Sequence, residues 1–250
     1  VIAEPIAKLD GEVITLDELI AIWQGTLNPI FPITKPVSDA NFAGDFSVGL
    51  PGTITRVKPR QSVAKPRVVI PVFPGTNCEY DSKRAFDFAG AISDIMVFNN
   101  LSPSHINQSI DRLVSLINNS QILMLPGGFS AGDEPDGSAK FIATILRNLQ
   151  VRDAVHGLLA RDGLILGICN GFQALIKSGL LPFGEIADLT EENPTLTYNV
   201  VGRHISRLSA TKIVSNHSPW LSSFNVGEIK QIAMSHGEGR LVISPELASN

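Results

Sequence analysis

The sequence predicts an α/β fold: an open, mostly parallel sheet with helices on both faces, preceded by an irregular N-terminal extension. Three observations predict it. Short unbroken apolar runs at Val68–Phe73, Ile122–Leu125 and Leu164–Ile168 read as strands buried on both faces. Segments of helical periodicity separate them, the alternation expected of βαβ units. The runs end in Pro74-Gly75, in Pro126-Gly127-Gly128 and at Cys169, turn chemistry at the strand ends where open α/β sheets carry their sites.

From Val1 to about Lys65 the chain is rich in Pro, Gly and Thr and reads as irregular, with one helix over Leu16–Trp23. Asp10-Gly11 marks a turn, and Thr15 or Asp17 is placed to cap that helix. Its Leu16, Leu19, Ile20 and Trp23 form an apolar stripe. A compact domain begins at Pro66, giving a division into residues 1–65 and 66–250. After the first strand come a helix near Asp81–Ala89, a strand near Asp94–Phe98 and a helix near Ser104–Ile117. The strand Ile122–Leu125 follows, then helices near Ser138–Leu149 and Val151–Ala160, the strand Leu164–Ile168 and a helix over Phe172–Ser178. Beyond Leu181 the pattern weakens. Val200–Ile205 and Lys212–Ser215 are candidate strands, and an apolar run, Ile229–Met234, leads into Ser235-His-Gly-Glu-Gly239.

Composition narrows the function classes. With 44% hydrophobic and 18% charged residues the chain has a globular balance. Its formal charge of -4 gives no reason to expect a nucleic-acid partner. Its apolar runs are far shorter than the ~20 residues of a membrane span, and no secretory leader is visible. Two cysteines, Cys78 and Cys169, are too few for a disulfide scaffold and agree with a reducing cytoplasm. No His or Cys cluster has metal-ligand spacing, and the glycine pairs form no phosphate loop, so neither a metal nor a nucleotide site is expected here.

Three strand ends carry the chemistry. Gly167-Ile-Cys169-Asn-Gly171 has the strand, tight turn and helix of a nucleophile elbow with Cys in place of Ser. The helix N-terminus and a neighbouring base favour thiolate, the reactive form. An inert core cysteine would need no flanking glycines. His236-Gly-Glu238 supplies a general base and a carboxylate to hold its imidazole, since residues two apart in extended chain point the same way. On its own this tripeptide is more often a surface turn. Pro126-Gly-Gly-Phe-Ser130 offers backbone N–H groups for an oxyanion hole, with Gly128 and the N–H of Asn170 as donors; on its own it would be an ordinary glycine turn. Cys78 reads as a wall or packing residue, and His105, His156, His204 and His217 as surface or packing residues.

These residues resemble the class I glutamine amidotransferases, a triad family of flavodoxin-like fold, over roughly Lys65 to the C-terminus. Within it, Phe73-Pro-Gly-Thr-Asn-Cys78, Leu125-Pro-Gly-Gly-Phe-Ser-Ala-Gly-Asp133, Gly167-Ile-Cys-Asn-Gly-Phe-Gln173 and Ser235-His-Gly-Glu-Gly-Arg240 resemble the phosphoribosylformylglycinamidine synthase family. The resemblance implies a Cys169–His236–Glu238 triad hydrolysing glutamine, with Gln173, Gly127, Phe129 and Asn199 contacting that substrate. It implies no cofactor for that reaction. ATP and Mg²⁺ are expected only in an upstream synthetase part, the partner that uses the ammonia as an ATP-dependent carbon–nitrogen ligase of purine biosynthesis. Thr15–Pro32 resembles the tail of that part, so the chain reads as a fragment. Two departures stand out: Asn199-Val-Val-Gly-Arg-His204 replaces the family's Asn-x-Ser-Gly-Arg-Phe string, and Glu134–Lys140 is unusually acidic. The alternatives are a cysteine hydrolase of related fold without glutamine specificity and a non-catalytic docking module.

Overall fold

The computed structural model describes residues 6–27, 63–130, 138–188, 190, 193–244 and 247. The acidic residues 134–137, most of the first 65 residues, and 28–32 of the synthetase-like segment lie outside the described residues.

The N-terminal part departs from the irregular expectation. β1 (Ile6–Leu9) and β2 (Glu12–Thr15) pair antiparallel with Leu9 opposite Glu12. The connecting Asp10-Gly11 has φ of 48° and 85°, the doubly left-handed turn that Asp-Gly favours because it matches strand twist. α1 (Leu16–Leu27) runs beyond the expected Trp23. Thr15 and Glu18 form a reciprocal capping box: the Thr15 N–H and hydroxyl donate to Glu18 Oε2 at 2.9 and 2.7 Å, and the Glu18 N–H donates to Thr15 Oγ1 at 3.2 Å.

The remaining elements form the parallel sheet expected. In chain order they are β3 (Arg67–Val72), α2 (Glu79–Phe88), β4 (Ile92–Val97), α3 (Pro103–Asn118), β5 (Ile122–Leu125), α4 (Lys140–Arg147), α5 (Leu149–Ala160), β6 (Leu164–Gly167) and α6 (Asn170–Ser178). Ser102 caps α3 with Pro103 at its first position. Asn148 separates α4 from α5, its side chain accepting from the N–H groups of Gln150 and Val151. The sheet order is β4-β3-β5-β6, all parallel. The chain leaves β3 first to one side and then to the other, so the order reverses between β3 and β5, the crevice where such sheets bind ligands.

Strand alternation divides the core. Val69, Leu123, Leu125 and Met96 face a layer built from α3, α4, α5 and α6, with Leu113, Ile117, Ile142, Leu146 and Leu158 all essentially inaccessible. Val68, Ile70, Ile122 and Met124 face the other side, packed by Phe86 of α2 and by Trp220. Trp220 stacks edge-on against Phe86 and donates its indole N–H to Ile165 O at 3.1 Å.

Beyond α6 the chain builds two antiparallel pairs, β7 (Thr195–Thr197) with β10 (Arg240–Val242), and β8 (Ile205–Lys212) with β9 (Ile229–His236). The candidate strands Val200–Ile205 and Lys212–Ser215 are corrected by this pairing. Residues between them form one continuous strand, and only their inner ends join it. The sequence hid β8 because five of its eight residues are polar or charged and the strand is largely exposed, so no apolar run marks it. Its register sets Ile205 opposite His236. Among the described residues no helix is long and apolar enough to cross a membrane.

α6 enters directly under β5. A Cβ at Gly171 would lie 2.0 Å from the Leu125 carbonyl oxygen, a backbone atom that cannot yield. Gly171→Ala should therefore cost about 3 kcal/mol of stability by overpacking. Gly157→Ala, mid-helix in α5 with nothing closer than 3.6 Å, should be neutral or stabilising. Urea denaturation of both variants checks this, and equal midpoints would contradict it.

Candidate active site

Cys169 occupies the sharp turn between β6 and α6. Its φ of 54° and ψ of -113° are a strained backbone for a residue with a Cβ. The turn holds because Gly171 N–H donates to Ile168 O and Gln173 N–H to Cys169 O, both at 3.0 Å, starting α6 immediately after the cysteine. The thiol is exposed rather than packed in the core.

The glycine loop after β5 is held by the loop after β3. Thr76 and Gly128 form an antiparallel bridge in which Asn77 N–H donates to Gly127 O at 2.9 Å and Phe129 N–H to Gly75 O at 2.8 Å. Neither bond uses the amide of Gly128 itself. Gly128 has a φ of 133°, and a Cβ there would strike Gly75 O at 2.4 Å, so the loop conformation requires glycine.

A cavity of about 590 Å³ is lined by Gly128, Phe129, Cys169, Gln173, His236 and Glu238, with Tyr198, Arg203, His204 and Ser235 on its far wall. The structure thus brings together Cys169, His236, Glu238 and the glycine loop around one cavity. Gly127 instead borders an adjoining cavity of about 470 Å³, shared by Cys78 and Cys169.

The internal wiring of the site differs from the expectation in three places. Glu238 was expected to hold the His236 imidazole. β9 ends at His236, and the bend that follows turns the Glu238 carboxylate inward, where Oε2 accepts from Ser138 N–H at 2.9 Å and faces Lys177 Nζ at 3.7 Å. The two-apart rule fails because the chain is not extended there. Asn199, expected at the substrate, is buried and is not among the residues lining either cavity. Its Oδ1 instead lies 2.9 Å from His236 Nδ1. Gln173, expected to contact substrate, has its amide engaged inside the protein: Nε2 donates to Glu238 O at 2.7 Å and Oε1 accepts from Asn170 Nδ2 at 3.1 Å. Asn170, 1% exposed, also accepts from Ser130 N–H at 3.3 Å.

His204 and Ser235 were not singled out as site residues by the sequence. Their side chains, linked by a 2.8 Å hydrogen bond between His204 Nε2 and Ser235 Oγ, line both cavities. The pairing of Ile205 with His236 places them there, a register that the polar sequence of β8 conceals.

The family described as the CobB/CobQ-like glutamine amidotransferase domain matches residues 65–250. The chain belongs to this family. Within the amidotransferases it is similar to the phosphoribosylformylglycinamidine synthase subunit PurQ of Dehalococcoides mccartyi, 34% identical over 185 residues that cover 74% of this chain and 66% of that subunit. PurQ of Treponema denticola is 34% identical over 71% of this chain and 64% of its own length. The chain thus spans slightly under two thirds of the length of these relatives. Among solved structures, PurLQS from Thermotoga maritima superposes with a TM-score of 0.54 at 27% identity, covering 73% of this chain and 71% of that one. The α/β fold is therefore shared with that structure.

Cys78 begins α2 in a left-handed conformation, with φ of 68°. The point where a Gly127 Cβ would stand is 3.3 Å from Cys169 Cβ and 3.8 Å from Cys78 Sγ, so the two cysteines flank the same glycine. Burial pushes the Cys78 thiol above its ordinary range, and Asp81, Cys169 and Glu79 add in the same direction. A raised value keeps the thiol protonated as pH rises through the ordinary cysteine value. In a Cys169→Ala variant, alkylation of Cys78 by iodoacetamide should therefore reach half its maximal rate above about pH 8.5. A midpoint at or below that of a free cysteine would contradict this reading.

Proposed function

We propose that the chain hydrolyses glutamine to glutamate and ammonia, with Cys169 as nucleophile and His236 as acid and base. The observation that carries the reading is the strained Cys169 elbow opening into one cavity with His236 and the Gly128 loop, in a chain of the glutamine amidotransferase family.

Cys169 Sγ forms a bond to the side-chain amide carbon, and the carbonyl electron pair moves onto oxygen. The N–H groups of Gly128 and Asn170 receive that oxyanion; one such donor is typically worth about 3 kcal/mol in the barrier. The carbon–nitrogen bond then breaks, its electron pair leaving with nitrogen, which takes a proton from His236 and departs as ammonia. Water gives a proton to His236 and attacks the thioester carbon. The carbon–sulfur bond breaks, releasing glutamate and restoring the thiolate. Glu238 contributes from the strand end that carries His236, its carbonyl held by Gln173 and its carboxylate by Ser138 and Lys177. Phe129, half-exposed at the mouth, and Gly127 beside the cysteine border the space open to glutamine.

The names of the relatives support a further step: ammonia passes to a synthetase partner that converts formylglycinamide ribonucleotide to its amidine in purine biosynthesis. ATP and Mg²⁺ belong to that partner, whose tail residues 1–65 resemble; the glutaminase reaction itself uses no cofactor. The proposed setting is the cytoplasm.

Cys169→Ala should lower glutamate release at least a thousandfold, as loss of a nucleophile does. The glutamine-like electrophile 6-diazo-5-oxo-norleucine should label the unmutated chain at Cys169, located by mass spectrometry. Glutamate release that survives the substitution would overturn the proposal.

A further inference from the structure

We propose that Cys78 is the resolving partner of Cys169: when a hydroperoxide oxidises the Cys169 sulfur, Cys78 closes a reversible disulfide with it and takes the site out of use. The inference rests on the reading of Cys169 as the nucleophile of glutamine hydrolysis.

The chain has two cysteines, and the fold brings both to one glycine. Asn77, the neighbour of Cys78, donates its N–H to Gly127 O at 2.9 Å and so pins the loop after β3 to that residue. Cys169 packs against the same residue. The point where a Gly127 Cβ would stand is 3.3 Å from Cys169 Cβ, 3.7 Å from Ile168 O and 3.8 Å from Cys78 Sγ. Glycine puts no side chain there, so the two sulfurs can turn toward each other across the gap, as a bridge with Cβ atoms about 3.8 Å apart requires.

Both thiols are accessible, and neither is engaged in capping the helix that it begins. Cys169 lines two cavities. The larger holds His236 and Glu238, and the smaller holds Cys78. One sulfur thus has substrate on one side and a second thiol on the other.

The chemistry sets the order of events. Glutamine hydrolysis uses Cys169 as thiolate, the same form that peroxide oxidises. Burial, with Asp81, Cys169 and Glu79 adding to it, keeps Cys78 protonated, so Cys78 is not the sulfur that peroxide meets first. The Cys169 thiolate attacks one peroxide oxygen, the O–O bond breaks, and the hydroxide that leaves takes a proton from the medium to become water. Cys169 is now a sulfenic acid. Cys78 gives up its proton and its sulfur attacks that of Cys169; the S–O bond breaks, and the departing hydroxide collects that proton as a second water. The two sulfurs are oxidised and the peroxide is reduced. A sulfenic acid left alone proceeds to sulfinic acid, which thiols do not reverse, whereas a disulfide is returned by thiol exchange. Transient bridges of this kind are the ones a reducing compartment permits.

The test reads the bridge and the activity separately. Reduced chain treated with a small excess of hydrogen peroxide and digested without reductant should give a linked pair of peptides carrying Cys78 and Cys169, short of two hydrogens by mass spectrometry. Glutamate release should fall in step with the link and return on adding dithiothreitol. Prior labelling of Cys169 with 6-diazo-5-oxo-norleucine should prevent the link. Cys78→Ser should keep its activity before oxidation, yet recover about tenfold less of it after peroxide and dithiothreitol, its Cys169 carrying two or three added oxygens. Equal recovery in that variant would overturn the proposal. So would peroxide-treated unsubstituted chain in which Cys169 carries added oxygens beside a reduced Cys78, or is linked only to a second chain, results that need no variant to fold. If the link forms but the reduced chain releases no glutamate from glutamine, the bridge stands and the functional reading fails.

Discussion

The rest of the site depends on how closely the first turn of α6 approaches the end of β5. Gly171 lets the helix come within reach of the Leu125 carbonyl, a distance no side chain permits. That approach makes the chain double back within the two residues between β6 and the helix, Ile168 and Cys169, and Cys169 takes the resulting strained backbone of positive φ. Strain of this kind costs roughly 1–3 kcal/mol and persists only where the surroundings over-determine it. Here they do. The residues just after Cys169 bond back to Ile168 and to Cys169 itself, and Gly127 of the neighbouring strand end packs against its Cβ. The exposure of the thiol and the strain of its backbone therefore share one cause.

From that point a chain of buried polar contacts ties the parallel sheet to the antiparallel hairpins. Ser130 donates to Asn170, Asn170 to Gln173, and Gln173 to the Glu238 carbonyl, while the Glu238 carboxylate receives Ser138 and faces Lys177. Each link is a group that would be costly to leave unpaired in the interior, about 1–3 kcal/mol. The chain therefore specifies one arrangement of three otherwise separate segments: the glycine loop, the elbow helix and the strand end that carries His236. The parallel sheet sets Cys169, and this network helps set His236 relative to it.

This division explains what was legible in the sequence. β3, β5 and β6 could be read from their unbroken apolar runs, and the edge strand β4, which carries Ser93 and Asp94, from its place between two helices. That Cys169, His236 and Gly128 would border one cavity was legible because each stands at the end of a strand-like run. β8 was not readable, since a strand exposed on its side chains is free to be polar. Nor were the hydrogen-bond partners within the site. Gln173, a substrate contact by family resemblance, lines the cavity, but nothing in the sequence shows that its amide also bridges Asn170 and Glu238. Asn199 pairs with His236 across 37 residues through a turn closed by Gly202, and no periodicity records that.

The two residues either side of Gly237 show how much a local bend decides. Had β9 continued in extended form, His236 and Glu238 would share a face, and the carboxylate would lie against the imidazole. Ending the strand at His236 sends the two side chains to different partners. Each partner fits in kind. A carboxylate turned into a 7% exposed position needs a cation and an N–H donor, which Lys177 and Ser138 provide, because an uncompensated charge there would cost about 3–5 kcal/mol. The imidazole has the Asn199 amide oxygen 2.9 Å from Nδ1, and that amide is bonded to three backbone groups. The buried carboxylate thereby ties the end of β9 to α6 and to the segment that begins at Ser138.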